Sequence, residues 1–207
     1  MTCDLTETLT TTRLLAIIRG TDTAAAIATG TALLAEGVRV LEVALTTSGA
    51  LDAIAAIRAD APAGSLVGAG TVLTEADVAD VVAAGAQFVV TPGVVDSIGA
   101  AVRRGLAVAA GALTPTEAYA AVRQGATAVK LFPASLGGPA YLKALRDPFP
   151  DLPFVAVGGV GLAESPGYLA AGAIAVGVGG PLIGDAASGG DLDALRERAR
   201  AYLATTS

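Results

Sequence analysis

The 207-residue chain is 53% hydrophobic and 15% charged with 26 glycines, the proportions of one compact domain. It holds two lysines, eleven arginines, one cysteine and no histidine, which excludes Ser-His-Asp and Cys-His catalysis, imidazole zinc sites, and an internal disulfide or thiolate cluster through Cys3. A net charge of −6 leaves no electrostatic footprint for nucleic acid, and the cysteine usage is compatible with a reducing cytoplasm.

The chain opens with Asp4 and Glu7 among threonines, without the basic start or apolar core of a secretory signal, and residues 4–11 suit a short helix. From there, apolar runs alternate with alanine-rich segments of helical length. The runs cover residues 14–18, 38–45, 65–68, 88–91, 106–109, 128–132, 154–157 and 173–178. They are continuously apolar, which predicts parallel strands covered on both faces. Helices are predicted over 23–36, 48–60, 74–84, 114–123 and 191–203, several opened by Ser, Thr or Asp in capping position. Gly37, Gly85, Gly105, Gly125 and Gly172 close helical segments, at the position where a missing Cβ removes the steric cost of positive φ.

Gly85, Gly105 and Gly125 are twenty residues apart, which marks a repeating strand-helix unit with no linker between domains. Eight units over residues 1–207 predict a single α/β domain, a (β/α)8 TIM barrel with a short N-terminal helix. A doubly wound open sheet is the competing fold, but Gly-Val-Gly-Gly at 177–180 continues into no GxGxxG spacing. Residues 165–184 carry no charge over the length of a membrane span, yet Pro166, Pro181 and the glycines between them suit a buried strand flanked by turns, so no membrane partner is expected. The basic run Arg196, Arg198 and Arg200 alternates with Glu197 and reads as a solvated helix face.

In a barrel the active site lies at the C-terminal ends of the strands. Lys143 falls in a helical stretch where solvation explains it, but Lys130 stands inside the apolar strand Ala-Val-Lys-Leu-Phe. An ammonium group there loses hydration at a cost of several kcal/mol unless it is paired or its pKa falls, and a lysine with a lowered pKa attacks carbonyl groups. Of 19 acidic residues, only Glu42 occupies the middle of an apolar strand. One buried acid and one buried base fit either a lone salt bridge or an acid/base residue beside a nucleophile. Buried ion pairs add little net stability over apolar packing, which favours the second.

Other strand ends supply binding groups. Arg19 follows the first strand and suits a carboxylate or phosphate, unless it pairs with Asp22. Thr71 follows the third strand, where capping the next helix is its alternative role, and Thr91-Pro92-Gly93 ends the fourth. Gly158-Gly159 and Gly179-Gly180 end strands seven and eight, where many barrels hold phosphate on backbone N–H groups.

Taken together, Gly-Val-Arg-Val-Leu-Glu-Val at 37–43, Val-Gly-Ala-Gly-Thr-Val-Leu at 67–73, Thr-Pro-Gly at 91–93, Lys-Leu-Phe-Pro-Ala at 130–134 and Val-Gly-Gly at 157–159 resemble the class I 2-keto-3-deoxy-6-phosphogluconate and 2-keto-3-deoxy-6-phosphogalactonate aldolases. The resemblance implies a cytoplasmic, homotrimeric barrel enzyme that reversibly cleaves a phosphorylated keto sugar acid to pyruvate and glyceraldehyde 3-phosphate, with no metal and no cofactor. It implies a Schiff base on Lys130, proton transfer by Glu42, carboxylate binding at Thr71, an apolar wall from Pro92 and Phe132, and phosphate on Gly158, Gly159, Gly179 and Gly180.

Three positions depart from the pattern. Thr46 fills the substrate-binding position where many members carry a carboxylate-gripping arginine, and Arg19 is expected to supply that charge. Ala110-Gly111 replaces a Pro-Gly pair, and Gly180 replaces a serine at the phosphate loop. Val157 and the run at 138–143 lean toward the galactonate branch. Two other functions fit the residues: a phosphosugar isomerase or epimerase with Glu42 as base, and a non-catalytic phosphosugar-binding barrel.

Overall fold

The computed structural model describes residues 4–206, so Cys3 lies outside the described residues. Eight parallel strands close into a barrel in sequence order: β1 (Leu14–Ile18), β2 (Val40–Ala44), β3 (Leu66–Gly70), β4 (Phe88–Val90), β5 (Ala107–Ala112), β6 (Ala128–Leu131), β7 (Phe154–Val157) and β8 (Ala175–Val178). β8 pairs back onto β1, with Leu15 opposite Gly177. The open-sheet alternative is therefore excluded. Helix α1 (Leu5–Thr12) precedes the barrel, and α2 (Thr23–Ala35), α3 (Ala50–Ala59), α4 (Glu75–Ala83), α5 (Ser97–Arg103), α6 (Pro115–Arg123), α7 (Gly138–Arg146) and α8 (Ser165–Ala170) follow successive strands. A one-turn helix, α9 (Gly180–Ile183), follows β8 before the long α10 (Leu192–Thr206).

Local sequence accounts for much of this punctuation. Thr74 and Thr114 open α4 and α6 with reciprocal capping boxes to Asp77 and Glu117. The glycines expected to close helices, Gly37, Gly85, Gly105, Gly125 and Gly172, all have φ between +75° and +103°. The uncharged stretch at 165–184 divides into α8, β8 and α9, and no helix among the described residues is long and apolar enough to cross a membrane.

Strand residues alternate between two apolar clusters. Leu14, Ala16 and Ile18 face the helices, while Leu15 and Ile17 face the barrel interior with Val40, Leu66, Phe88, Val90, Ala109, Ala128, Val155 and Ala175. Leu5 and Leu9 of α1 join that interior cluster and cover its N-terminal end. The period of two then fixes the upper interior. Two residues beyond Val40 comes Glu42, and two beyond Ala128 comes Lys130. By the same step Gly68 and Gly70, Gly111 and Gly177 fall on the inward side, and neighbouring groups fill the space their missing side chains leave. Gly68 gives its space to the Phe88 ring, 2.6 Å from where a Cβ would stand.

The basic run on α10 is not simply a solvated face. Arg196 and Arg200 do reach outward to Glu36, at 3.8 and 2.8 Å. Arg198, between buried Leu195 and Ala199, turns inward and donates from Nε to the Leu182 carbonyl at 2.7 Å and from a terminal nitrogen to the Ile183 carbonyl at 3.0 Å. It satisfies the last carbonyls of α9, a partner that local charge alternation does not reveal.

Candidate active site

A cavity of about 370 Å³ opens at the C-terminal end of the barrel. It gathers Arg19, Thr71, Pro92, Lys130, Phe132, Gly158, Gly159, Gly179 and Gly180, contributed by the ends of β1, β3, β4, β6, β7 and β8. Ile17, Val157, Val160, Gly177, Pro181, Ile183 and Gly184 complete the lining. Sequence reasoning did not single out most of these as site residues. Inward strand parity could have found Ile17, Val157 and Gly177, whereas Ile183 and Gly184 depend on the placement of α9. Thr46 is exposed, two residues past the end of β2, and does not line the cavity.

Lys130 is 8% exposed and enters the cavity from β6, its register partners being Gly111 on β5 and Val155 on β7. Its Nζ lies 5.1 Å from the centroid of the Phe132 ring, a cation–π contact. Among the described residues, no carboxylate comes within ion-pair distance of it. The lone salt bridge with Glu42 left open by the sequence is therefore not present.

Glu42 is 1% exposed on β2, opposite Ile17 and Gly68, and its Oε2 is buried without a hydrogen-bond partner. Desolvation pushes its pKa above the ordinary glutamate range, against the opposing pull of the Lys130 and Arg19 charges. A carboxyl group shifted toward neutrality and free to accept a bond is suited to moving protons. Arg19 stands exposed at the rim and forms no ion pair among the described residues. Asp22, its expected partner, instead caps α2 through Ala25 N–H at 2.7 Å.

Thr71 has φ +60° and does not cap α4, since Thr74 does. Thr91 ties the neighbouring strand ends together: its hydroxyl donates to the Gly93 carbonyl at 2.7 Å and accepts from Gly111 N–H at 3.2 Å. A side chain at Gly111 would collide with the Pro92 backbone, so this glycine lets the Pro92 wall close on β5.

Beyond β7, Gly158 and Gly159 have φ +91° and +71°, a succession closed to L side chains at low cost. A Cβ at Gly158 would meet the Phe132 ring at 2.9 Å, and one at Gly159 would meet Ser135 at 2.6 Å. The N–H groups of Gly159 and Gly180 donate to no acceptor among the described residues and are available to an anion. Arg19, Lys130 and these glycines thus line one chamber, while Glu42, buried on β2 and not itself part of the lining, feels the charges of both cations. Among the described residues no cluster of metal-ligating side chains occurs.

The model of the KDPG and KHG aldolase family matches residues 5–197. A probable 2-dehydro-3-deoxy-6-phosphogalactonate aldolase of Rhizobium meliloti is 39% identical over 193 residues, covering 92% of this chain and 90% of that protein. A native KDPGal structure superposes with a TM-score of 0.87 at 34% identity, covering 93% of each chain. The KDPG aldolase of Legionella pneumophila, with pyruvate captured as a covalent carbinolamine, superposes with a TM-score of 0.86 at 29% identity, covering 95% of this chain and 96% of that one.

Proposed function

The chain belongs to the KDPG and KHG aldolase family, and we propose that Lys130 is its Schiff-base lysine, Glu42 its proton carrier and Arg19 with Thr71 its carboxylate grip. The enzyme is a class I aldolase that reversibly cleaves a 2-keto-3-deoxy-6-phospho sugar acid to pyruvate and glyceraldehyde 3-phosphate. The observation that carries the assignment of roles is the placement of buried Lys130 in the lining of the cavity, with no ion-pair partner among the described residues.

The Lys130 amine adds to the C2 carbonyl, and loss of water from the carbinolamine gives a protonated imine. Glu42 takes the proton of the C4 hydroxyl as the C3–C4 bond breaks. The electron pair of that bond flows toward the imine nitrogen, leaving a pyruvate enamine and releasing the aldehyde. Protonation at C3 and hydrolysis then free pyruvate and the lysine. The iminium nitrogen is the electron sink, so the step needs no metal in this scheme.

Arg19 supplies the positive charge that Thr46 lacks. Gly158, Gly159, Gly179 and Gly180 form the phosphate end, Pro92 and Phe132 the apolar wall, and the resemblance of Val157 and the run at 138–143 to the galactonate branch supports a galactonate-type substrate. Assembly as a homotrimer in the cytoplasm belongs to the same reading.

Incubation with pyruvate and borohydride tests it. A single reduced adduct at Lys130, located by peptide mass spectrometry, is expected, and folded protein that takes no label overturns it. Pyruvate release from the gluconate and galactonate substrates side by side decides the stereochemical preference.

A further inference from the structure

Thr71 is one of two non-glycine described residues with positive φ, the other being Arg13 at the C-cap of α1. A β-branched residue is costly in this conformation and keeps it only where the surrounding backbone is held. The backbone around Thr71 is held on both sides. The Gly70 carbonyl accepts from Leu45 N–H at 2.8 Å, and Val72 N–H donates to the Val90 carbonyl at 3.3 Å. Beyond them, Leu73 and Thr74 N–H both donate to the Asp77 carboxylate at 2.9 Å.

Strand continuation and helix capping account for all of these except one remaining contact. The Ser97 hydroxyl, fully buried on the first turn of α5, donates to the Val72 carbonyl at 2.7 Å. It caps nothing in its own helix, whose N-cap is Asp96. It holds the peptide that follows Val72, so Val72 is anchored at its carbonyl by Ser97 and at its N–H by Val90, and losing the first anchor lets the turn at Thr71 relax and swing the threonine side chain away from the cavity.

Building on the reading of Thr71 as part of the carboxylate grip, we infer that Ser97 is a positioning residue for pyruvate binding, fixing the Val72 carbonyl and with it the left-handed turn that aims Thr71 into the cavity. Lys130 and Glu42 lie on other strands, so losing this bond weakens pyruvate binding and leaves imine chemistry at Lys130 intact.

The test follows the rate of borohydride-trapped labelling of Lys130 against pyruvate concentration in the full chain. Loss of one neutral hydrogen bond predicts a rise of about fivefold in the half-saturating pyruvate concentration for Ser97→Ala, with a plateau rate within about twofold of the parent. In a Thr71→Gly background, where glycine adopts the turn unaided, adding Ser97→Ala is expected to change nothing further. A penalty of equal size in both backgrounds overturns the inference, because a merely structural bond acts regardless of residue 71. Ser97→Cys keeps the side-chain shape with a weaker donor and gives a smaller rise; it decides the matter if Ser97→Ala does not fold, since an unchanged half-saturation in folded Ser97→Cys also overturns the inference. A parent protein that takes no label overturns the aldolase reading itself, whereas a labelled parent with an unshifted Ser97→Ala overturns the positioning role alone.

Discussion

Gly70 occupies the position on β3 against which the Glu42 carboxylate rests: a Cβ there would stand 2.5 Å from Glu42 Oε1 and 2.8 Å from its Cδ. The atoms that would be displaced are the end of a side chain, so Gly70→Ala is expected to fold while moving the carboxyl group. Displacements of about 1 Å at a reacting group cost up to about 100-fold in rate. We expect Gly70→Ala to lower kcat by about 10–100-fold with little change in thermal midpoint. Unchanged turnover in a pyruvate-release assay would remove Glu42 from its role.

Burial raises the Glu42 pKa against the opposing charges of Lys130 and Arg19, and linkage fixes the sign of its effect on stability. Between the ordinary glutamate range and the raised value, the folded chain binds a proton that the unfolded chain does not. Stability from this residue is present at acidic pH and falls as pH rises through the folded pKa. Glu42→Gln removes that slope, so its thermal midpoint relative to the parent should increase from acidic toward neutral pH. The same variant should lose at least about 100-fold in turnover, the scale of a general acid/base contribution. A midpoint difference that stays flat with pH would contradict the shift.

Lys130 separates imine chemistry from an isomerase or epimerase in which it would serve as an electrostatic partner to Glu42. Lys130→Arg keeps the positive charge but cannot form an imine at accessible pH. Pyruvate release should therefore be abolished and borohydride labelling lost, while a folded far-ultraviolet spectrum is retained. Turnover that survives this substitution favours the electrostatic alternative.

The parts of this molecule legible in the sequence are those governed by short-range rules. Continuous apolar runs at 14–18 and 154–157 coincide with β1 and β7, and the helix-closing glycines adopt the expected positive φ. Strand ends were less legible, because glycine and alanine carry weak strand signals. β3 runs on to Gly70 and β5 to Ala112, which brings Gly70 against Glu42 and Gly111 against Pro92. Glycines at such places can be read as turns until the barrel closes and shows what fills their missing side chains. Arg198 fails for a related reason, since its acceptors on α9 are fixed only by tertiary packing. Thr71 was visible as a strand-end hydroxyl, but its left-handed backbone and the Ser97 bond behind it depend on contacts between β3, β4 and α5.

Thr71→Gly separates the conformation of that turn from the chemistry of its side chain. Relief of left-handed strain, worth about 1–3 kcal/mol, outweighs the roughly 0.5–1 kcal/mol entropic cost of glycine. We expect a stability gain of about 1 kcal/mol on denaturant unfolding, together with weaker saturation by pyruvate in trapping experiments. A destabilised protein would mean that the threonine side chain contributes more to packing than its half-buried position indicates.

Gly180 offers a gain-of-function test of the proposed phosphate end. A Cβ there meets nothing within 4 Å, and its φ is not in the left-handed region, so a side chain is accommodated without backbone rearrangement. Gly180→Ser adds a hydroxyl donor, and a hydrogen bond to a charged group contributes about 1.5–3 kcal/mol. Part of that is offset by ordering the side chain, and we expect KM for the phosphorylated substrate to fall by about tenfold with kcat nearly unchanged. Trapping with pyruvate, which carries no phosphate, should be unaffected. By contrast, Gly159→Ala meets both a positive φ of +71° and the Ser135 side chain, so it should raise KM for the phosphorylated substrate while leaving pyruvate trapping in place. If Gly180→Ser alters pyruvate trapping and phosphosugar KM alike, phosphate does not bind at this end of the cavity.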